Sequence, residues 1–159
     1  MAKNKKSDVS AKAAFCKELL EKRGYGSAEV TASPADITAI KDGTTWYYEI
    51  KMTKRTDTYF GAATATEWEQ AFRDPNHYRF VVAVTDDEEV DFNFLEFTPE
   101  EFMKACTIPP FKIYFNIDLL SGQPKQSKHR EGTVSLDEKS FTLLNDVYTK
   151  LKSTTEKRH

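Results

Sequence analysis

Asp36, Glu49 and Lys51 are the residue types that handle phosphate: two carboxylates that can share a hard cation, and an amine that can meet a phosphate oxygen. Whether they meet depends on the stretch between them. "DITAIKDGTTWYYEIKM" places strand-forming residues on both sides of Asp42-Gly43. That dipeptide favours a two-residue hairpin loop because both of its positions take positive φ. Such a loop pairs Lys41 with Thr44 and Ile40 with Thr45, and the same count, continued, sets Asp36 opposite Glu49. Directly paired residues share a face, with Cβ atoms roughly 4.5–5.5 Å apart. Alternation puts Ile37, Ala39, Trp46, Tyr48 and Ile50 on a core face, and Asp36, Thr38, Ile40, Thr45, Tyr47, Glu49 and Lys51 on the other.

Like charges opposed across a sheet are destabilising, so the pair needs an offset. Two readings are open at this point. In one, both acids are solvated and Lys51 is a passing partner worth about 0–1 kcal/mol. In the other, Asp36, Glu49 and the backbone carbonyl of Ile50 form an oxygen-rich partial shell for Mg²⁺, a cation that keeps several waters. Lys51 then stands beside the metal-bound water and a substrate phosphate.

The elements that must position these groups follow from periodicity. A helix is expected over residues 9–23, with Val9, Ala13, Cys16 and Leu20 on one arc, Phe15 and Leu19 beside it, and Gly24 ending it. Strands are expected at 28–32, 36–41 and 44–52. "TATEWEQAFRD" starts a second helix, capped by Thr64 with Glu67 and facing inward through Trp68, Ala71 and Phe72. "YRFVVAVT" (78–85) suits a central strand and "VDFNFLEF" (90–97) a strand covered on one face. "TPEEFMKAC" reads as a helix with Thr98 as N-cap, Pro99 at its first position and Glu101 completing the box. A strand at 111–117, a polar loop at 121–131 and an amphipathic helix at 140–151 complete the chain. The order argues for an α/β protein with one mixed, α+β-type sheet flanked by helices. It predicts a single domain over 1–159, with an ordered core of about 9–152 and mobile tails at 1–8 and 153–159.

The 159 residues are 39% hydrophobic and 13% aromatic, enough apolar material for a folded core. No apolar run approaches the roughly 20 residues of a membrane span, and the basic start "MAKNKKSD" lacks the apolar stretch of a secretory signal. Cys16 and Cys106 are far apart, which argues against a disulfide framework or a cysteine zinc site and for a reducing cytoplasm. His77, His129 and His159 have no metal-ligand spacing. The formal charge of −2 does not announce nucleic acid, but Lys51, Lys54 and Arg55 cluster, as do Lys125, Lys128 and Arg130, while acids concentrate at 86–89. Each run reads either as a solvated loop or, for the basic ones, as a local basic groove.

Pro34-Ala35-Asp36, followed after twelve residues by Glu49-Ile50-Lys51, resembles the signature of the PD-(D/E)XK nuclease superfamily. More narrowly, "SPADITAI", "YYEIKMT", "TATEWEQAFRD" and "YRFVVAV" are similar to the C-terminal domain family of the plant protein NO VEIN. The resemblance covers roughly residues 10 to 117. It implies a restriction-endonuclease-like core of order αβββαβ, here extended by βαβ and a C-terminal helix. It also implies a metal-dependent nuclease of restriction or defence type that hydrolyses DNA. Asp36, Glu49 and the Ile50 carbonyl would hold Mg²⁺, with Mn²⁺ as a substitute, and Lys51 would act with Asp36 and Glu49 in catalysis. Many relatives carry a Glu on the first helix, whereas here Glu18 and Glu21 fall away from the apolar arc and Lys12 sits near its middle.

The expected partner is nucleic acid, DNA first, with no membrane, in a homodimer or a larger restriction or defence assembly. Lys54, Arg55, Lys125, Lys128 and Arg130 would meet backbone phosphates. The alternative is a catalytically inactive nuclease-like module that binds nucleic acid or a protein.

Overall fold

The computed structural model describes residues 7–107, 117–124 and 138–156. The chain divides into two compact units, Met1–Ala105 and Cys106–His159.

The first unit holds α1 (Ser7–Lys22), β1 (Ser27–Val30), β2 (Ile37–Lys41), β3 (Thr44–Thr53), α2 (Ala65–Arg73), β4 (Tyr78–Thr85), β5 (Phe92–Phe97) and α3 (Pro99–Met103). The strands form one mixed sheet in the order β1-β2-β3-β4-β5, antiparallel throughout except for the parallel β3–β4 pair. That parallel step follows from the α2 crossover, since two strands running the same way need a long connection and not a tight turn.

The hairpin forms as its turn residues require. Asp42 has φ 51° and Gly43 φ 75°, and the ladder runs from Lys41↔Thr44 to Ile37↔Tyr48. One sheet face carries the expected Ile37, Ala39, Tyr48 and Ile50, joined by Val81 and Ala83, and packs on Ala11, Phe15 and Leu19 of α1. Phe15 meets the edges of Tyr48 at 5.1 Å and Phe94 at 4.9 Å between ring centroids. The opposite face carries Phe80, whose ring stacks on Phe102 of α3 at 4.4 Å and lies 4.8 Å from Trp68 of α2. The sheet is thus covered on both sides.

The phase of α1 differs from the expected arc. The buried residues are Ala11, Phe15 and Leu19, one turn apart, while Val9 is 62% exposed and Leu20 44%. Phe15 has the largest apolar surface on the helix and takes the centre of the interface, so the helix is rotated to suit the ring, and the smaller Val9 and Ala13 go outward. Lys12 lies next to the buried stripe. Both capping boxes are present, Thr64 with Glu67 and Thr98 with Glu101. α3 ends at Met103, short of the "KAC" expected to continue it.

In the second unit β6 (Ile117–Asp118) pairs with β7 (Gln123–Pro124), and α4 covers Glu138–Glu156. Residues 121–124, expected as loop, therefore turn and pair. Gly122 has φ 67°, and its N–H donates to the Asp118 carbonyl at 2.7 Å. Two tail boundaries also move: α1 already begins at Ser7, and α4 runs on past 152 to Glu156. The expected strand over 111–116 and the loop over 125–131 lie outside the described residues. No helix among the described residues is long and apolar enough to cross a membrane.

Phe15→Ala should cost about 3–5 kcal/mol, because it removes the ring at the centre of the α1–sheet contact. Urea unfolding of the two proteins checks this.

Candidate functional site

Asp36 lies just before β2, at the end of a bend fixed by its own hydrogen bonds. The Thr31 N–H donates to the Asp36 carbonyl at 2.8 Å, and the Thr31 hydroxyl donates to the Ala35 carbonyl at 2.7 Å. A continued hairpin ladder would pair Ala35 with Ile50. Instead Ala35's carbonyl is taken by Thr31, and the Ile50 N–H donates to Asp36 Oδ2 at 2.9 Å. The carboxylate thereby takes the place of a backbone acceptor at the end of the ladder and is held against the middle of β3. A strand residue presents its N–H and C=O to the same side, so the Ile50 carbonyl also faces the strip where Asp36 lies. Asp36 Oδ1 meets Lys12 Nζ of α1 at 2.5 Å.

Glu49 is 7% exposed, a carboxyl on the sheet face that also carries the buried rings of Tyr78 and Phe80. Lys51, two residues along the same face, donates from Nζ to Glu49 Oε1 at 3.2 Å and to Glu67 Oε2 at 2.7 Å. Glu67 comes from the first turn of α2, and the same Oε2 accepts the Thr64 N–H of the capping box at 2.9 Å. The cap therefore does two things: it closes the helix start and supplies an anion to Lys51.

The electrostatics follow from this crowding. Burial pushes the Glu49 carboxyl up to about 8, and the charges of Glu67 and then Asp36 push the same way against Lys51. Burial pulls the Lys51 ammonium down, but the hydrogen bond to Glu67 and the charge of Glu49 outweigh it, so its proton is held more tightly than usual. Around Glu49 three carboxylates, Asp36, Glu49 and Glu67, answer to two ammonium groups, Lys12 and Lys51.

The residues expected to act together are thus brought to one place, and two more join them. Lys12 was visible as a basic residue near the middle of the expected α1 arc, and the rotation of the helix sets it beside the buried stripe. Glu67 was visible only as a cap, and nothing local marks a capping acid as the partner of a strand lysine. The basic residues expected at phosphates are placed less simply. Lys54 Nζ lies 2.9 Å from Glu89 and 3.7 Å from Asp87 in the β4–β5 turn, and Arg55 lies 3.4 Å from Asp57. Lys125, Lys128 and Arg130 lie outside the described residues. On the connection from β3 to α2, Phe60 is 95% exposed, and Tyr59 is folded back on Gly61, where an added Cβ would come within 2.9 Å of its ring.

The donors suit a hard cation, being carboxylate and carbonyl oxygens without sulfur or imidazole. Among the described residues no three His, Cys, Asp or Glu side chains converge at metal-holding spacing. The shell the chain can offer is therefore small, Asp36, Glu49 and the Ile50 carbonyl, and water would complete it. No family model, curated protein or solved structure matches the chain.

A carboxyl raised in the folded state binds its proton there more tightly than in the unfolded chain, so the protein loses stability as pH rises between the ordinary 4.5 and about 8. In EDTA, unfolding free energy should fall across that window with a slope of about 1.4 kcal/mol per pH step of one, and Glu49→Gln should flatten the profile. Urea titrations at a series of pH values test it; equal slopes for the two proteins would show that Glu49 is not the group responsible.

Proposed function

We propose that the protein is a divalent-metal-dependent nuclease that hydrolyses phosphodiester bonds in DNA, with Asp36, Glu49 and Lys51 as its working residues. The observation that carries this reading is the excess of carboxylate over ammonium around the buried Glu49. Groups that repel one another in a low-dielectric spot are stabilised by added positive charge, and a cation of charge two supplies more of it than a proton can. The mixed sheet, with α2 crossing between the parallel strands β3 and β4, supports this reading because it brings Glu67 against the β3 carboxylate and lysine.

Asp36, Glu49 and the Ile50 carbonyl would hold the cation, which when bound supplies Lewis acidity toward a phosphoryl oxygen and a water of lowered pKa. The side chains do the rest. Asp36 is fixed by the Ile50 N–H, so its position is set by the backbone and not by a flexible rotamer. Lys51 stays charged because two carboxylates face it, and its amine can turn from Glu49 to a phosphate oxygen as charge builds there. Glu67 keeps a second hold on that amine and so limits how far it swings. The exposed Phe60 ring offers a face on which a base can stack.

With Mg²⁺ or Mn²⁺ the full-length protein should nick or linearise plasmid DNA, and Lys51→Ala should slow this at least ~100-fold, the scale of losing one donor to the developing charge. Gel assays check both, and equal cleavage by the two proteins would remove Lys51 from the chemistry.

One observation favours a second reading, a nuclease-like module without catalysis. Both oxygens of Asp36 are engaged, Oδ1 by Lys12 and Oδ2 by the Ile50 N–H. Under that reading Lys12 stands permanently where a cation would. Thermal melts of Lys12→Met separate the two. The nuclease reading expects a lower melting temperature in EDTA and a larger Mn²⁺-induced rise than in the parent protein; the module expects no rise in either.

A further inference from the structure

Tyr78 opens β4 and pairs in parallel register with Tyr47, one alternation away from the Glu49↔Phe80 pair, so its side chain shares the face of Glu49 and Lys51. The residue is 1% exposed, and its hydroxyl is buried without a hydrogen-bond partner. An unpaired buried hydroxyl costs about 1–3 kcal/mol, and phenylalanine would fill the same space without that cost. Burial first, then the charges of Glu49, Glu67 and Asp36, hold the phenol proton well above its ordinary range. The hydroxyl thus sits on the sheet face of Glu49 and Lys51 and bonds to neither of them, nor to Asp36 or Glu67.

We propose that the Tyr78 hydroxyl is a positioning donor for a water-sized oxygen ligand taken up at the Asp36–Glu49 site together with a divalent cation. The inference rests on the cation-binding reading above and adds to it a residue that no motif marks. The ligand is small because the hydroxyl is enclosed: the ring lies 5.4 Å from Phe80, edge to face, with no exposed route for a polymer phosphate. Its role is to donate, since the neighbouring carboxylates and any oxygen bound between them are acceptors. The hydroxyl thus trades folding stability for ligand binding, a common pattern where a polar group is buried for use.

Tyr78→Phe in the full-length chain tests this, with Mn²⁺ alone as the probe. Melting in EDTA should rise by about 2–4 °C, because an unpaired hydroxyl has been removed. Calorimetric titration with Mn²⁺ should show affinity reduced about tenfold, the loss of roughly one hydrogen bond. If the variant melts higher but binds Mn²⁺ as tightly as the parent, the hydroxyl has no ligand and the proposal fails, while the cation site stands. If it melts lower in EDTA, the hydroxyl is already satisfied within the fold and the proposal fails as well. If the parent itself takes up no Mn²⁺, the nuclease reading fails and this inference falls with it.

Discussion

Two consecutive residues with positive φ, Asp42 and Gly43, decide which side chains of β3 look toward α1 and which toward α2. Because side chains alternate with period two, a slip of one residue would turn Glu49 and Lys51 into the apolar layer under Phe15 and expose Tyr48 and Ile50 on the other face. The turn sets the register, the register sets the face, and the face brings Glu49 against α2. The short link from β2 back to β1 then ends the ladder at Ile37 and leaves Asp36 free to bond Ile50 through its side chain.

The cluster this creates works against the fold. Glu49 is buried beside aromatic rings, Glu67 and Asp36 add to its repulsion, and Tyr78 keeps an unpaired hydroxyl nearby. Each of these would be relieved by an apolar substitute. The two lysines temper the conflict without removing it. Lys51 is shared between two carboxylates, and Lys12 reaches Asp36 from α1.

Much of this was readable from local rules. The Asp-Gly turn requires a two-residue loop, so the β2–β3 register from Lys41↔Thr44 to Ile37↔Tyr48 followed from one dipeptide. The expected Asp36–Glu49 pair does not form, because the chain leaves the ladder at Ile37 and Asp36 accepts the Ile50 N–H through its side chain. Both capping boxes were visible because a cap involves residues three apart, within one turn of chain. The central strand Tyr78–Thr85 emerged at its expected bounds, since a short, continuous apolar run with β-branched residues has few other uses. The rotation of α1 was not readable. Its apolar residues are spread around the helix, and the phase is chosen by which of them best meets Tyr48 and Phe94, rings that lie far along the chain.

The sequence by itself determined the hairpin, its register as far as Ile37, the two capped helix starts and the pairing of an acid with a lysine on one strand face, because each depends on backbone preferences over a few residues. Only the tertiary structure decided that Lys12 meets Asp36, that the capping Glu67 also holds Lys51, that Lys54 turns to Glu89, and that the Tyr78 hydroxyl is left without a partner. Those contacts join groups from separate elements. They depend on the distance and angle between a helix and a sheet, which are set by the fit of buried rings and by no local pattern of residues.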